Sequence, residues 1–135
     1  MMDFNLPILL VDDDAMVREV VFEYLKEMGF NNILVAGDSQ KALKIIQDKK
    51  IKISLVLSDW EMPKVSGLTL LKAVRKDPQR SSLPFIMITS QRSMERFKIS
   101  QAAQWRVDAY IVKPFGLELL RQKICSVMGW KSEVA

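Results

Sequence analysis

Five short apolar runs alternate with five longer stretches in which apolar residues recur every three or four positions. The short runs predict buried strands, which span residues 7–11, 32–36, 55–58, 84–89 and 109–112. The longer stretches predict helices over residues 15–28, 39–46, 68–76, 93–105 and 117–128. Ser39 is the candidate N-cap of the second helix, while Gly29 and the Asp77-Pro78 pair predict the ends of the first and third.

This alternation predicts one α/β domain over residues 1–135. Strands that are apolar on both faces belong to parallel sheets, which are covered by helices on each side. We therefore expect a three-layer sandwich around a five-stranded parallel sheet. In such folds, ligands bind beyond the carboxyl ends of the strands.

Composition narrows the chemistry. The chain has no histidine, which excludes histidine acid/base catalysis, Ser–His and Cys–His nucleophiles and nearly all zinc sites. The lone Cys125 cannot form an internal disulfide, and no apolar run has the length of a membrane span or the form of a signal peptide. We expect a cytoplasmic protein without a membrane partner.

The polar residues at the predicted strand ends carry the candidate chemistry. Asp12, Asp13 and Asp14 follow the first strand and Asp59 the third, while Thr89 ends the fourth and Lys113 follows the fifth. Clustered carboxylates with a hydroxyl and an ammonium suit Mg²⁺ and an aspartyl-phosphate reaction. Simpler interpretations stay open at this point: the acids are helix caps, and the lysine is a surface residue.

These residues belong to motifs that resemble the receiver domain of two-component response regulators, in particular the stand-alone, chemotaxis-type (CheY-like) members. The matching segments are residues 10–13, 57–63 with Gly67, 83–84, 88–90 and 110–115. The resemblance implies a flavodoxin-like (βα)5 fold with no output domain. The strand order that it implies is 2-1-3-4-5, of which CheY proteins are a familiar example.

The resemblance also implies residue roles. Asp59 would be the phosphoacceptor, and Lys113, with a cis bond to Pro114, and Thr89 would assist the transfer. Mg²⁺ would be held by Asp13, Asp59 and the backbone carbonyl of Glu61, and by Asp12 through water. Thr89 and Tyr110 would form the switch pair.

The implied function is a phosphorylation-activated signalling switch and not an enzyme with an external substrate. The chain would catalyse only its own Mg²⁺-dependent phosphorylation by a histidine kinase and its own dephosphorylation, with a phosphatase as a further partner. The response would appear on the face formed by the fourth helix, fifth strand and fifth helix, with a chemotaxis output such as the flagellar motor switch. The alternative is a phosphorelay intermediate that passes the phosphoryl group to a histidine phosphotransfer protein.

Three positions depart from the family pattern. Glu61 and Gln91 occupy variable positions near the site; the Glu61 side chain either tunes phosphoryl lifetime or is a solvated loop residue. Trp105-Arg106-Val107 replaces the Ala-Gly-Ala of many relatives, which predicts an altered or strained turn because glycine favours left-handed backbone angles. The basic residues near this turn favour an acidic docking partner; they are Arg96, Lys98, Arg106, Arg121 and Lys123.

Other classes fit less well. A flavodoxin needs a phosphate-binding loop after the first strand, where this chain has three aspartates. An Asp-x-Asp phosphohydrolase carries its acid pair on the strand of its nucleophile. The net charge is only +4, with the excess in residues 92–135, so we expect no nucleic-acid partner.

Overall fold

The computed structural model describes residues 2–90 and 96–130, the latter range without the side chains of residues 96–98. Its five strands are β1 (Ile8–Val11), β2 (Ile33–Ala36), β3 (Leu55–Asp59), β4 (Phe85–Ser90) and β5 (Ala109–Lys113). All pairings are parallel, and the strand order is β2-β1-β3-β4-β5. The predicted fold class and strand order are confirmed.

The sheet register aligns the strand ends that carry the candidate site. Val11 pairs with Ser58 and Asp59 with Ile88, while Ser90 pairs with Lys113. Residues just after β1 therefore lie beside the last residue of β3. The carboxyl edge of the sheet gathers the polar side chains that the sequence places far apart.

The helices are α1 (Ala15–Met28), α2 (Ser39–Gln47), α3 (Gly67–Lys76), α4 (Arg96–Gln104) and α5 (Leu117–Met128). Gly29 closes α1 with a left-handed φ of 111°, and Asp77 caps the end of α3, as predicted. The start expected at Ser93 for the fourth helix lies outside the described residues.

One helix cap differs from the prediction. Asp38, not Ser39, is the N-cap of α2, because its carboxylate accepts the N–H of Lys41 at 2.7 Å. Both residue types are competent caps, so the choice depends on tertiary contacts. Ser39 is buried in the first turn, and its hydroxyl donates to the carbonyl of Pro63.

Two hydrophobic clusters cover the two faces of the sheet. One joins the sheet to α2, α3 and α4 through residues such as Ile46, Leu71 and Ala102. The other joins it to α1 and α5 through Leu25, Leu120 and Ile124. Helices on both faces leave the strand ends as the open edges of the sandwich. None of the helices in the described ranges has both the length and the apolar content to cross a membrane.

Candidate functional site

Three carboxylates and one ammonium meet at the carboxyl edge of the sheet. Asp12 and Asp13 follow β1 and Asp59 ends β3; one carboxylate oxygen from each lies within 4.8 Å of the others. The ammonium of Lys113, at the end of β5, lies 3.1 Å from Asp59 Oδ1 and 3.3 Å from Asp12 Oδ2. Lys113 is thus part of the cluster and not an ordinary surface lysine.

The three consecutive aspartates after β1 have different roles: Asp14 caps a helix, whereas Asp12 and Asp13 belong to the carboxylate cluster. Asp14 is the N-cap of α1, where its carboxylate accepts the N–H groups of Met16 and Val17. Asp12 accepts the N–H of Asp14 and directs its other oxygen to Lys113. Asp59 caps no helix, since the N-cap of α3 is Ser66. The helix-cap interpretation is therefore confirmed for Asp14 and wrong for Asp59.

The site holds more negative charge than its lysine neutralises. Burial, and then repulsion by Asp12, raises the pKa of Asp59 to about 6. Burial likewise raises the pKa of Asp12. Burial alone would lower the pKa of Lys113, but attraction to Asp59 and Asp12 raises it. The electrostatics favour binding of a further cation among the carboxylates.

The donor set fits Mg²⁺. Asp12, Asp13 and Asp59 offer hard carboxylate oxygens, and no softer ligand lies among them. Asp13 is exposed, whereas the other two are buried, so the cluster opens to solvent on one side. Glu61 is an exposed residue two positions after Asp59, in the loop before α3.

Three contacts that the sequence did not reveal hold this edge in place. The guanidinium of Arg18 donates to the Asp12 carbonyl at 2.8 Å, and the Ser58 hydroxyl donates to the Asp59 carbonyl at 2.9 Å. Gly67 packs so closely that an added Cβ would lie 2.3 Å from the Asp59 carbonyl oxygen. Gly67 stood in the recognised motif, but Arg18 looked like any polar residue of an amphipathic helix.

The two expected switch residues lie on neighbouring strands. Thr89 is buried next to the end of β4, and its hydroxyl donates to the carbonyl of Ser90 at 3.3 Å. Tyr110, half-buried on β5, donates from its hydroxyl to the carbonyl of Ile99 on α4 at 2.9 Å. Burial raises the Tyr110 pKa. The tyrosine therefore links β5 to the helix that the resemblance assigns to the response.

The turn after α4 is strained, as predicted, but the hydrogen bonds that end the helix follow a common pattern. Arg106 has a left-handed φ of 57°. Its N–H donates to the carbonyl of Ala103, and the N–H of Val107 donates to that of Ala102, which is a Schellman ending. The Lys113–Pro114 bond is cis, as expected. Gln91 and the side chains of Arg96 and Lys98 lie outside the described part of the chain.

Comparison with known proteins identifies similar sequences and folds. The family model "Response regulator receiver domain" matches residues 8–125, which include all five strands. Chemotaxis protein CheY-3 of Vibrio cholerae serotype O1 is 41% identical over 120 residues, which cover 89% of each chain. Chemotaxis protein CheY of Pseudomonas aeruginosa is 37% identical over 117 residues, 87% of this chain and 91% of that one.

Solved structures give the same picture. The chemotaxis response regulator CheY4 of Vibrio cholerae superposes with a TM-score of 0.80 at 27% identity, covering 91% of this chain and 98% of that chain. A response regulator receiver protein from Pseudomonas putida superposes with a TM-score of 0.78 at 25% identity, with the same coverage.

Proposed function

Because the chain belongs to the response regulator receiver domain family and is homologous to CheY chemotaxis proteins, we propose that it is a switch phosphorylated on Asp59. The observation that supports this most is the position of Lys113. Its ammonium bonds both Asp59 and Asp12, so a fixed cation lies where negative charge would develop during phosphoryl transfer.

The chain itself supplies a nucleophile and its surroundings. An oxygen of Asp59 attacks the phosphorus of a phosphohistidine on a kinase, or of a small acyl phosphate. The new O–P bond forms as the bond from phosphorus to the donor's nitrogen or oxygen breaks, and the donor keeps that electron pair. Lys113 neutralises charge on the phosphoryl oxygens, and Thr89, on the adjacent strand β4, donates a hydrogen bond to them.

In this proposal Mg²⁺ is held by Asp13, Asp59 and the Glu61 carbonyl, and by Asp12 through water. When bound, the ion neutralises the carboxylates and the incoming phosphoryl oxygens, which lowers the barrier to transfer. The carboxylate cluster and the raised pKa of Asp59 support this assignment.

The response is proposed to pass through Thr89 and Tyr110 to the face formed by α4, β5 and α5. The Tyr110 hydroxyl bonds the α4 backbone, so a turn of its ring would break that bond and alter α4. In the proposed function, this face binds a partner protein in the cytoplasm, and the output is chemotaxis.

Intact-mass spectrometry tests the chemical part. We expect one phosphoryl adduct after incubation with acetyl phosphate and Mg²⁺, and none in Asp59→Asn or with EDTA. Asp38→Asn is the matched control, since this exposed acid caps α2 away from the cluster, and its adduct should equal the wild type's. Full labelling of Asp59→Asn would reject Asp59 as the acceptor.

Labelled protein then separates the outputs. Binding of the phosphorylated form to a flagellar motor-switch protein supports the chemotaxis output. Transfer of the label to a histidine phosphotransfer protein supports the phosphorelay alternative.

A further inference from the structure

A groove lies at the opposite edge of the sheet from Asp59, where α3 and α4 end side by side. Its two lobes, of about 540 and 360 Å³, share Arg75 and Arg106. Ser81 and Ser82 line the larger lobe, and Gln104 and Trp105 line the smaller one. We call this the basic groove.

Arg106 lines the basic groove, and Lys72 and Lys76 lie beside it, over the ring of Trp105. None of the three cations has an ion-pair partner among the described residues. The ammonium groups of Lys72 and Lys76 lie 5.5 and 5.3 Å from the centre of the Trp105 ring, so one indole holds two like charges. Arg106 is exposed in both lobes. The ion pairs of the described residues involve other side chains.

The other charges in the groove are already paired. The guanidinium of Arg75 donates to the carbonyls of Trp105, Arg106, Ser81 and Leu83 and to the Asp108 carboxylate. The Asp108 oxygen also accepts the N–H of Phe85 at 2.7 Å. With Asp108 neutralised by Arg75, the unpaired charge of the groove is positive.

The dipole of α3 accounts for Lys76, which stands in its last turn, but helix dipoles do not account for Arg106. Basic side chains often complement the negative end of a helix. Here Arg75 already binds the carbonyls of Trp105 and Arg106 at the end of α4. Arg106 moreover occupies a left-handed position that glycine would fill without strain, and retained strain points to a functional contact.

We propose that the basic groove docks an acidic segment of a partner protein, whether or not Asp59 is phosphorylated. Carboxylates of the segment pair with Lys72, Lys76 and Arg106, and serine and amide groups of the groove donate further hydrogen bonds. A nucleic acid fits less well, because its phosphate backbone would find only three free cations among the described residues at this groove. The groove is remote from Asp59, so docking and phosphoryl transfer do not compete. This surface is additional to the proposed response face.

NMR titration of the chain of residues 1–135 tests the proposal. The probes are a glutamate-rich peptide and its counterpart with glutamine at every glutamate. We expect the glutamate peptide to produce saturable chemical-shift changes at the Trp105 indole N–H and at the amides of Ser81 and Ser82. The glutamine peptide should produce none. Beryllofluoride should leave the affinity unchanged.

Variants without the three cations measure how much these charges contribute to peptide affinity. Lys72→Gln/Lys76→Gln/Arg106→Gln should weaken binding about tenfold, since each exposed ion pair contributes modestly. The control Lys41→Gln/Lys44→Gln/Lys50→Gln removes as much charge from exposed positions elsewhere and should bind within about twofold of the wild type.

Several results would overturn the docking site: no saturable shift, shifts confined to α5, or equal losses in both triple variants. Tighter binding of single-stranded DNA than of the glutamate peptide at this groove would assign it to nucleic acid instead. If the glutamate peptide still produces the expected shifts but Asp59 cannot be phosphorylated, the proposed switch is rejected and the groove assignment stands.

Discussion

The two edges of the sheet treat buried charge in opposite ways. At the carboxyl edge, three carboxylates cluster and only two of them bond Lys113, and the pKa of Asp59 is raised to about 6. At the amino edge, the guanidinium of Arg75 has an acceptor for each of its five N–H groups. An unsatisfied cluster can respond to a cation or phosphoryl group, whereas a satisfied one only holds the chain together. Neutralising a buried charge should therefore change stability in opposite directions at the two edges.

Loss of the Arg75 guanidinium should have the largest effect. Arg75→Met removes a donor from four carbonyl oxygens and leaves the Asp108 carboxylate with only the N–H of Phe85. We therefore expect a loss of about 3–5 kcal/mol in the free energy of unfolding. Urea denaturation measures it. Lys49→Met breaks the ion pair of Asp77 with a cation that is more exposed than Arg75, and it should cost much less. Equal losses would mean that the burial of Arg75 contributes nothing.

Gly67→Ala tests how tightly the carboxyl edge is packed. The new Cβ would meet the Asp59 carbonyl oxygen at 2.3 Å, and backbone must move to relieve the contact. We expect a loss of about 2–3 kcal/mol in the free energy of unfolding, and slower phosphorylation by acetyl phosphate. Gly116→Ala is the control, since its Cβ meets nothing within 4 Å. A stable, fully active Gly67→Ala protein would contradict the tight packing.

Asp59→Asn should stabilise the metal-free protein. The pKa of Asp59 is raised from 3.8 to about 6 on folding, so the folded state binds more protons in that window and its stability falls as pH rises through it. In EDTA we expect Asp59→Asn to be more stable than the wild type by about 1–2 kcal/mol near pH 8, and by much less near pH 4. Urea midpoints at the two pH values measure this. Mg²⁺ should stabilise the wild type and so reduce the difference in unfolding free energy between the two proteins. If Asp59→Asn is less stable than the wild type near pH 8 in EDTA, the charge imbalance is contradicted.

Arg106→Gly should give the smallest change, a gain of about 1 kcal/mol, because glycine adopts a φ of 57° without the strain of an arginine. Thermal unfolding measures it. Arg106→Ala keeps a Cβ at this left-handed position and should give no comparable gain. Similar midpoints for the two variants would show that the turn is not strained.

The sequence predicted the strands to within one residue and placed the site residues at one edge. It succeeded because buried strands leave apolar runs and because parallel strands align their carboxyl ends. Asp59, for example, directly follows the run Leu55–Ser58 and becomes the last residue of β3. The roles of these residues in phosphoryl transfer stay predictions.

What the sequence could not provide were contacts made across the fold. Arg75 looks like any basic residue near a helix end, and its burial depends on carbonyls about 30 residues away, in the turn after α4. Ser39 looked like a cap, but its hydroxyl reaches the carbonyl of Pro63 in another loop. Such contacts leave no periodic or local signal.

The ammonium that bonds two aspartates has a consequence for the newly made chain. Lys113 stands 101 residues from Asp12 and 54 from Asp59, so the site closes only when β5 has joined the sheet. Long-range parallel pairing of this kind forms late and slowly compared with local helix formation. A nascent or partly unfolded chain thus has the acids without the lysine. The complete cluster of acids and lysine is therefore a property of the finished fold.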